Sequence, residues 1–291
     1  MHLILPLLAS LLFVCGLIVI KRANAAGVGP LTTVFCTNIA VSFAFSFTWL
    51  LGGDAIHWDL FWQPAIIAAL FVFGLVFTFL AIERGDVSLA TPIFGVKVVL
   101  VAILLTLTGE QDLPFQVWYA AALATMGIGL IQWTGTGHPH HILLTVCLAL
   151  AAASCYATFD VLVQRWAPIW GAGRFLPVVY WMVGLGSLAM IPWVDFAPFK
   201  QPGVRGLLCS GSLLIGLQAI CIVVAVGVFG DAARVNVVYA LRGLWGVGLA
   251  WLAARIWGGP EIEHSRKTML LRTAGAALLT FAVVLAITAG E

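Results

Sequence analysis

Apolar positions run through this chain in long unbroken blocks, not in the two-residue alternation of strands or the striped pattern of soluble amphipathic helices. Blocks of about 18 or more residues are the signature of membrane-spanning helices. Ten recur, at about 3–20, 31–51, 61–82, 87–109, 115–134, 142–164, 175–194, 204–229, 232–254 and 270–289. The expected fold is therefore all-α and integral to a membrane, with ten transmembrane helices. Composition agrees: 62% of the 291 residues are hydrophobic and 9% are charged, against roughly 25% charged in soluble domains. No linker or low-complexity stretch sets off a soluble domain, so the chain reads as one membrane unit. Its opening block, "MHLILPLLASLLFVCGLIVIKR", lacks a basic leading region and a small-residue cleavage site. It reads as the first span, ended by Lys21 and Arg22.

The six cysteines (15, 36, 147, 155, 209 and 221) fall inside these blocks without metal-ligand spacing and read as small buried hydrophobes. Trp49, Trp58, Trp62, Trp118, Trp133, Trp166, Trp170, Trp193 and Trp257 cluster near span ends, where indoles anchor to the membrane interface. The net charge of +2 carries no nucleic-acid signature, and no nucleic-acid partner is expected. Loop charge speaks instead to orientation. Lys21, Arg22, Arg84, Lys200, Arg205, Arg255, Arg266, Lys267 and Arg272 follow odd-numbered spans; Arg165, Arg174 and Arg234 lie on the other side. The positive-inside rule places the first set in the cytoplasm and both termini outside.

Two stretches share unusual positions. "GDVSLATPIFGVKVVL" (85–100) and "GDAARVNVVYALRGLW" (230–245) align at an offset of 145 residues. Gly85 and Asp86 meet Gly230 and Asp231, Phe94 meets Tyr239, and Lys97 meets Arg242. A glycine can close one helix in the left-handed conformation and an aspartate can cap the next, giving tight hairpins between spans 3 and 4 and spans 8 and 9. Ala122 to Gly129 and Gly275 to Ala282 are a fainter echo, each placing small residues seven apart in spans 5 and 10. The chain thus divides into two five-helix repeats, 1–138 and 142–291. Five being odd, the second enters the membrane inverted, as in secondary transporters whose substrate site lies near the midplane between repeats.

With its ten spans, two five-helix halves, short 3–4 and 8–9 hairpins and a "TGEQDLPFQVW" turn into the fifth span, the whole chain resembles the drug/metabolite transporter (DMT) superfamily in its ten-helix, EamA-like form. Glu110 is similar to the glutamate often found before the fifth helix of that family's repeats. The resemblance implies a secondary transporter in the cytoplasmic (inner) membrane of a bacterium. Many members carry a proline in the fourth helix of each repeat; here Pro92 lies one turn before Lys97 and the second repeat has none. No relative's substrate is carried over.

The candidate chemistry lies inside the spans. Lys97 is nine residues from Ser88, about 14 Å along a helix and so near the middle of a ~30 Å core. Arg242 stands at the matching depth. Each would cost about 2.5–3.5 kcal/mol facing lipid, so each should face protein or a watery cavity. Asp160 is the one carboxylate deep in a span. Three readings stay open: a structural salt bridge of Asp160 with one cation; an anion site in which Lys97 and Arg242 clamp a phosphate, phosphonate or carboxylate; and a zwitterion or proton-coupled site in which Asp160 handles an amine or a proton.

Asn236, Tyr239, Arg242 and Trp245 recur at three-residue intervals on roughly one face, and Tyr156 shares a face with Asp160. Phe94 and Tyr239 each precede a cation by one turn. Asn38 and Gln218 are isolated amides, suited to helix–helix contact or to ligand. The histidines of "GTGHPHHILL" have no carboxylate or cysteine nearby, so neither a metal nor a cofactor is expected. No phosphate-binding loop, nucleophile elbow or paired-carboxylate site appears. The leading expectation is a transporter, not an enzyme. It moves a small, anionic metabolite across the bilayer by alternating access, with proton or counter-substrate coupling open. The alternatives are a proton-coupled amino-acid or zwitterion transporter, a multidrug exporter, or a membrane-embedded lipid-handling enzyme.

Overall fold

A computed structural model describes residues 2–53, 56–83, 90, 93–109, 113–132, 142–246, 248–249 and 266–289. Among these the chain is helical, with no strand. The α-helices are α1 (Ile4–Ala25), α2 (Pro30–Ser46), α3 (Trp62–Glu83), α4 (Lys97–Leu107), α5 (Phe115–Gln132), α6 (Ile142–Trp170), α7 (Ala172–Ser187), α8 (Pro202–Phe229), α9 (Ala232–Tyr239) and α10 (Arg266–Thr288). Tight 3-10 turns extend α2 to Leu51 and α7 to Trp193. Among the described residues, seven apolar helical stretches are long enough to cross a bilayer: Ile4–Ala25, Pro30–Leu51, Trp58–Ile82, Ile142–Trp170, Ala172–Trp193, Pro202–Phe229 and Leu270–Thr288. The chain is a multi-pass integral membrane protein. Leu50, Leu107 and Leu143 are 85%, 77% and 77% exposed, in keeping with an outer surface solvated by lipid.

Local chemistry explains the helix boundaries. Pro30 and Pro202 begin α2 and α8, where a missing N–H costs nothing. Gly230 closes α8 at φ 63° and ψ 34°, donating its N–H to the Val226 carbonyl, and Asp231 caps α9 by accepting from the Arg234 N–H. This is the hairpin expected for the second half; its counterpart at Gly85–Asp86 lies outside the described residues, as do Pro92, Glu110 and the histidine-bearing stretch. Lys21 and Arg22 do not end α1, which runs a further turn to Ala25 before Gly27 turns at φ 98°. The cysteines are half-buried, or exposed at Cys147 and Cys209, and not core residues. Trp170 is no interface anchor either: it is fully buried and donates Nε1–H to Gln63 Oε1 at 2.9 Å.

The principal helix contacts come in pairs. α1 packs on α8 as α6 packs on α3; α2 on α8 as α7 on α3; α4 on α6 as α9 on α1; and α4 on α5 as α9 on α10. The pairs α2–α7, α4–α9 and α5–α10 are their own counterparts. Each member becomes the other when every helix number is shifted by five; the α6–α8 contact and the smaller α5–α9, α8–α9, α7–α8 and α6–α9 contacts depart from the scheme. The tight α5–α10 crossing depends on mutual glycines. A Cβ on Gly127 would stand 2.9 Å from the Gly275 carbonyl oxygen, and one on Gly275 would stand 2.7 Å from that of Gly127. At one end of the bundle His2 Nε2 and Asp231 Oδ2 are 3.1 Å apart, Arg234 Nη1 lies 3.7 Å from the same oxygen, and Arg234 Nη2–H donates to the Ala289 carbonyl. That network gathers the start of α1, the α8–α9 hairpin and the end of α10.

Candidate functional site

Lys97 and Arg242 both stand at the first residue after an interruption of their helices. At the first interruption, Val96 N–H donates to Ile93 O at 3.0 Å, Val98 to Gly95 O at 3.2 Å and Leu100 to Val96 O at 3.0 Å. At the other, Leu241 donates to Val238 O at 3.1 Å, Gly243 to Ala240 O at 2.9 Å and Trp245 to Leu241 O at 3.0 Å. Every donor and acceptor matches at the 145-residue offset read from the sequence. The first two bonds of each set span three residues where a regular helix spans four, so the backbone tightens just before each cation. The Thr125 hydroxyl of α5 donates to the Gly95 carbonyl, holding the first interruption from the side. Lys97 lies ten residues from the end of α4, about 15 Å and half of a ~30 Å core.

Around these breaks the polar side chains converge. Lys97 Nζ lies 2.7 Å from Asp160 Oδ2, with side-chain exposures of 16% and 5%. Asn236 Nδ2–H donates to the same carboxylate oxygen at 2.6 Å and to the Ala232 carbonyl at 2.9 Å. One turn further along α6, Gln164 Oε1 accepts the Ala232 N–H at 2.8 Å. A step of four residues up α6 thus meets a step of four down α9, so the two helices run antiparallel and are zipped by buried polar groups. Each carboxylate or amide here has a partner, which is what allows it to sit in the interior.

Arg242 is held differently. Its guanidinium carbon lies 4.5 Å from the Tyr239 ring centroid and 5.1 Å from that of Phe13 on α1. The two rings meet edge-on at 6.1 Å. Tyr239 donates its hydroxyl to Gln218 Oε1 of α8 at 3.1 Å, and Trp245 Nε1–H donates to Ser10 Oγ of α1 at 3.0 Å. No carboxylate among the described residues lies within ion-pair distance of Arg242, which remains half-buried.

The candidate residues therefore divide. Lys97, Asp160, Asn236, Tyr239, Arg242, Gln218 and Trp245 join one polar core around α4, α6, α8, α9 and α1. Tyr156, one turn before Asp160, packs its ring against Gly74 of α3, where a Cβ would come within 2.8 Å, and bonds with Thr78. Phe94 points elsewhere, packing against Ala81, Ala90 and Ala149, so the aromatic neighbour of the first cation does not mirror Tyr239. Asn38 donates to Ser187 Oγ at 2.9 Å, joining α2 to α7. The residues that the sequence reading missed are Phe13, Ser10 and Gln164. Gln164 was within reach, because Tyr156, Asp160 and Gln164 form an i, i+4, i+8 row. Phe13 carried no signal among so many apolar neighbours. Among the described residues no group of three metal-ligating side chains occurs. Two surface grooves, one lined by Ala65, Ala68, Ala69 and Phe73 and one by Ile39 and Trp181, are apolar and are lined by none of these polar residues.

No family model matches the chain, and no curated protein matches it. Among solved structures, one described only as a crystal structure of a protein superposes with a TM-score of 0.72 at 13% identity, covering 99% of this chain and 96% of that one. The likeness shows a shared fold from end to end. It carries no substrate.

Proposed function

We propose that the chain is a secondary transporter on the inverted-repeat plan of the drug/metabolite transporter superfamily, with ten spans in halves 1–138 and 142–291. It moves a small polar organic anion, bearing a phosphate, phosphonate or carboxylate, by alternating access across a bacterial inner membrane. The observation that carries this is the pair of matched helix interruptions, each delivering a cation to the same polar core. Interrupted helices near the midplane are where such transporters bind their substrates. Contacts that interchange when helix numbers shift by five support the repeat.

Arg242 is the principal anion ligand on this reading, since a guanidinium offers two parallel donors to a carboxylate or phosphate. Lys97 and Asn236 position Asp160, and Tyr239 and Phe13 orient the guanidinium. Asp160 favours a second reading, a zwitterion carrier in which that carboxylate receives the amine or a coupled proton. A multidrug exporter fits less well, because the cationic core repels lipophilic cations. Protein reconstituted in liposomes should exchange internal for external radiolabelled organic anion, and Arg242→Ala should abolish that exchange. Turnover of a lipid without exchange of any solute would refute the proposal.

A further inference from the structure

The two halves treat their cations unequally. The α4–α6 contact gives Lys97 a carboxylate at 2.7 Å, whereas the corresponding α9–α1 contact gives Arg242 the ring of Phe13. Asp160 is further tied by Asn236 Nδ2–H at 2.6 Å. Among the described residues, two cations and one carboxylate leave the core with a single positive charge, carried by the residue with no carboxylate within ion-pair distance. The neighbouring polar groups, Asn236, Gln218, Gln164 and Tyr239, are neutral donors and acceptors already engaged with one another or with the backbone.

We propose that Asp160 sets the charge of the transported anion: the site takes a monoanion, whose charged group does for Arg242 what Asp160 does for Lys97. This rests on the anion-site reading above and narrows its substrate class. A monoanion brings the interior to neutrality. A dianion leaves a buried negative charge, or must part Lys97 from Asp160 and strand the carboxylate with Asn236 alone; either is costly in a low-dielectric interior. Asp160 is thus a specificity-determining residue, and it acts through Lys97 rather than by touching the substrate.

Monomethyl succinate and succinate share a skeleton and differ by one charge at neutral pH, so titration of the purified full chain in nanodiscs with each reads the rule directly. The wild type should bind the monoester at least tenfold more tightly. Asp160→Asn, which frees Lys97, should move the ratio at least tenfold toward succinate. Lys97→Gln, which leaves Asp160 to neutralise the core, should weaken both ligands at least tenfold. The Lys97→Gln/Asp160→Asn pair, with one net charge again, should return the ratio to the monoester side, and it serves as the test if either single variant fails to fold. A wild type that prefers succinate overturns the proposal, as does a ratio that ignores the substitutions. If anion exchange persists in liposomes with such a ratio, the transporter reading survives and the charge rule alone fails. If neither ligand binds any variant, both fail.

Discussion

Arg242 carries the proposed anion site, and its setting shows how a cation is held in this fold with no carboxylate among the described residues within ion-pair distance. Two ring faces supply quadrupole attraction, of about 0.5–2 kcal/mol per contact depending on desolvation. They also restrict the guanidinium plane, so that less freedom is lost when an anion arrives. Tyr239 is itself pinned through its hydroxyl to Gln218, while Phe13 has only packing to hold it. Phe13→Leu keeps the apolar volume but removes the ring, and should weaken anion binding about three- to tenfold with little loss of thermal stability. Arg242→Lys removes both the stacking and the fork, and should weaken binding more than Phe13→Leu does. Titration of both variants with one carboxylate ligand checks the order. Equal affinity of Phe13→Leu and wild type would mean that the ring does not orient the guanidinium.

At the level of elements, the spans were legible because each is a block of apolar residues with its own punctuation. The α8–α9 hairpin illustrates this. Gly230 can take φ 63° where a side chain would be strained, and Asp231 offers an oxygen to a free amide of α9. Gly230→Ala should cost about 1 kcal/mol or more for the left-handed conformation, and Asp231→Ala about 0.5–2 kcal/mol for the cap. Asp231 also meets His2 and Arg234, so its removal should loosen the end of the bundle as well. Denaturation in mild detergent would show both losses; an unchanged Asp231→Ala would mean that water replaces the cap. The helix interruptions, by contrast, were not legible. Tightening two hydrogen bonds at Gly95 and at Ala240 leaves the apolar pattern untouched, and no proline marks the second site. Pairing was equally hidden: the sequence placed Lys97 and Asp160 at similar depth, but only helix packing decides that Asp160 meets the lysine and not the arginine.

For the molecule as a whole, the packing scheme and the charge distribution bear on topology together. His2, Asp231, Arg234 and Ala289 belong to one network, so residues near both termini and the α8–α9 hairpin share one end of the bundle. The proposed ten-span plan, with its even number of crossings, expects the same of the termini. The arginines and lysines are concentrated on the other side: Lys21, Arg22, Lys200, Arg205 and, at the start of α10, Arg266, Lys267 and Arg272 belong to chain segments remote from that network, against Arg165, Arg174 and Arg234 on its own side. Moving a cation against the membrane potential and the translocation bias is unfavourable, so the positive-inside rule expects the richer side in the cytoplasm. The expected arrangement therefore has the His2–Asp231–Arg234 network facing outward. Single cysteines at Ala289 and at Lys200, in a background with the six native cysteines replaced, separate the possibilities. A membrane-impermeant maleimide applied to intact cells should label the first and spare the second until lysis. The reverse pattern would invert the orientation while leaving the fold as described. Labelling of both in intact cells would break the link between the network and a single membrane face, and with it the proposed ten-span topology.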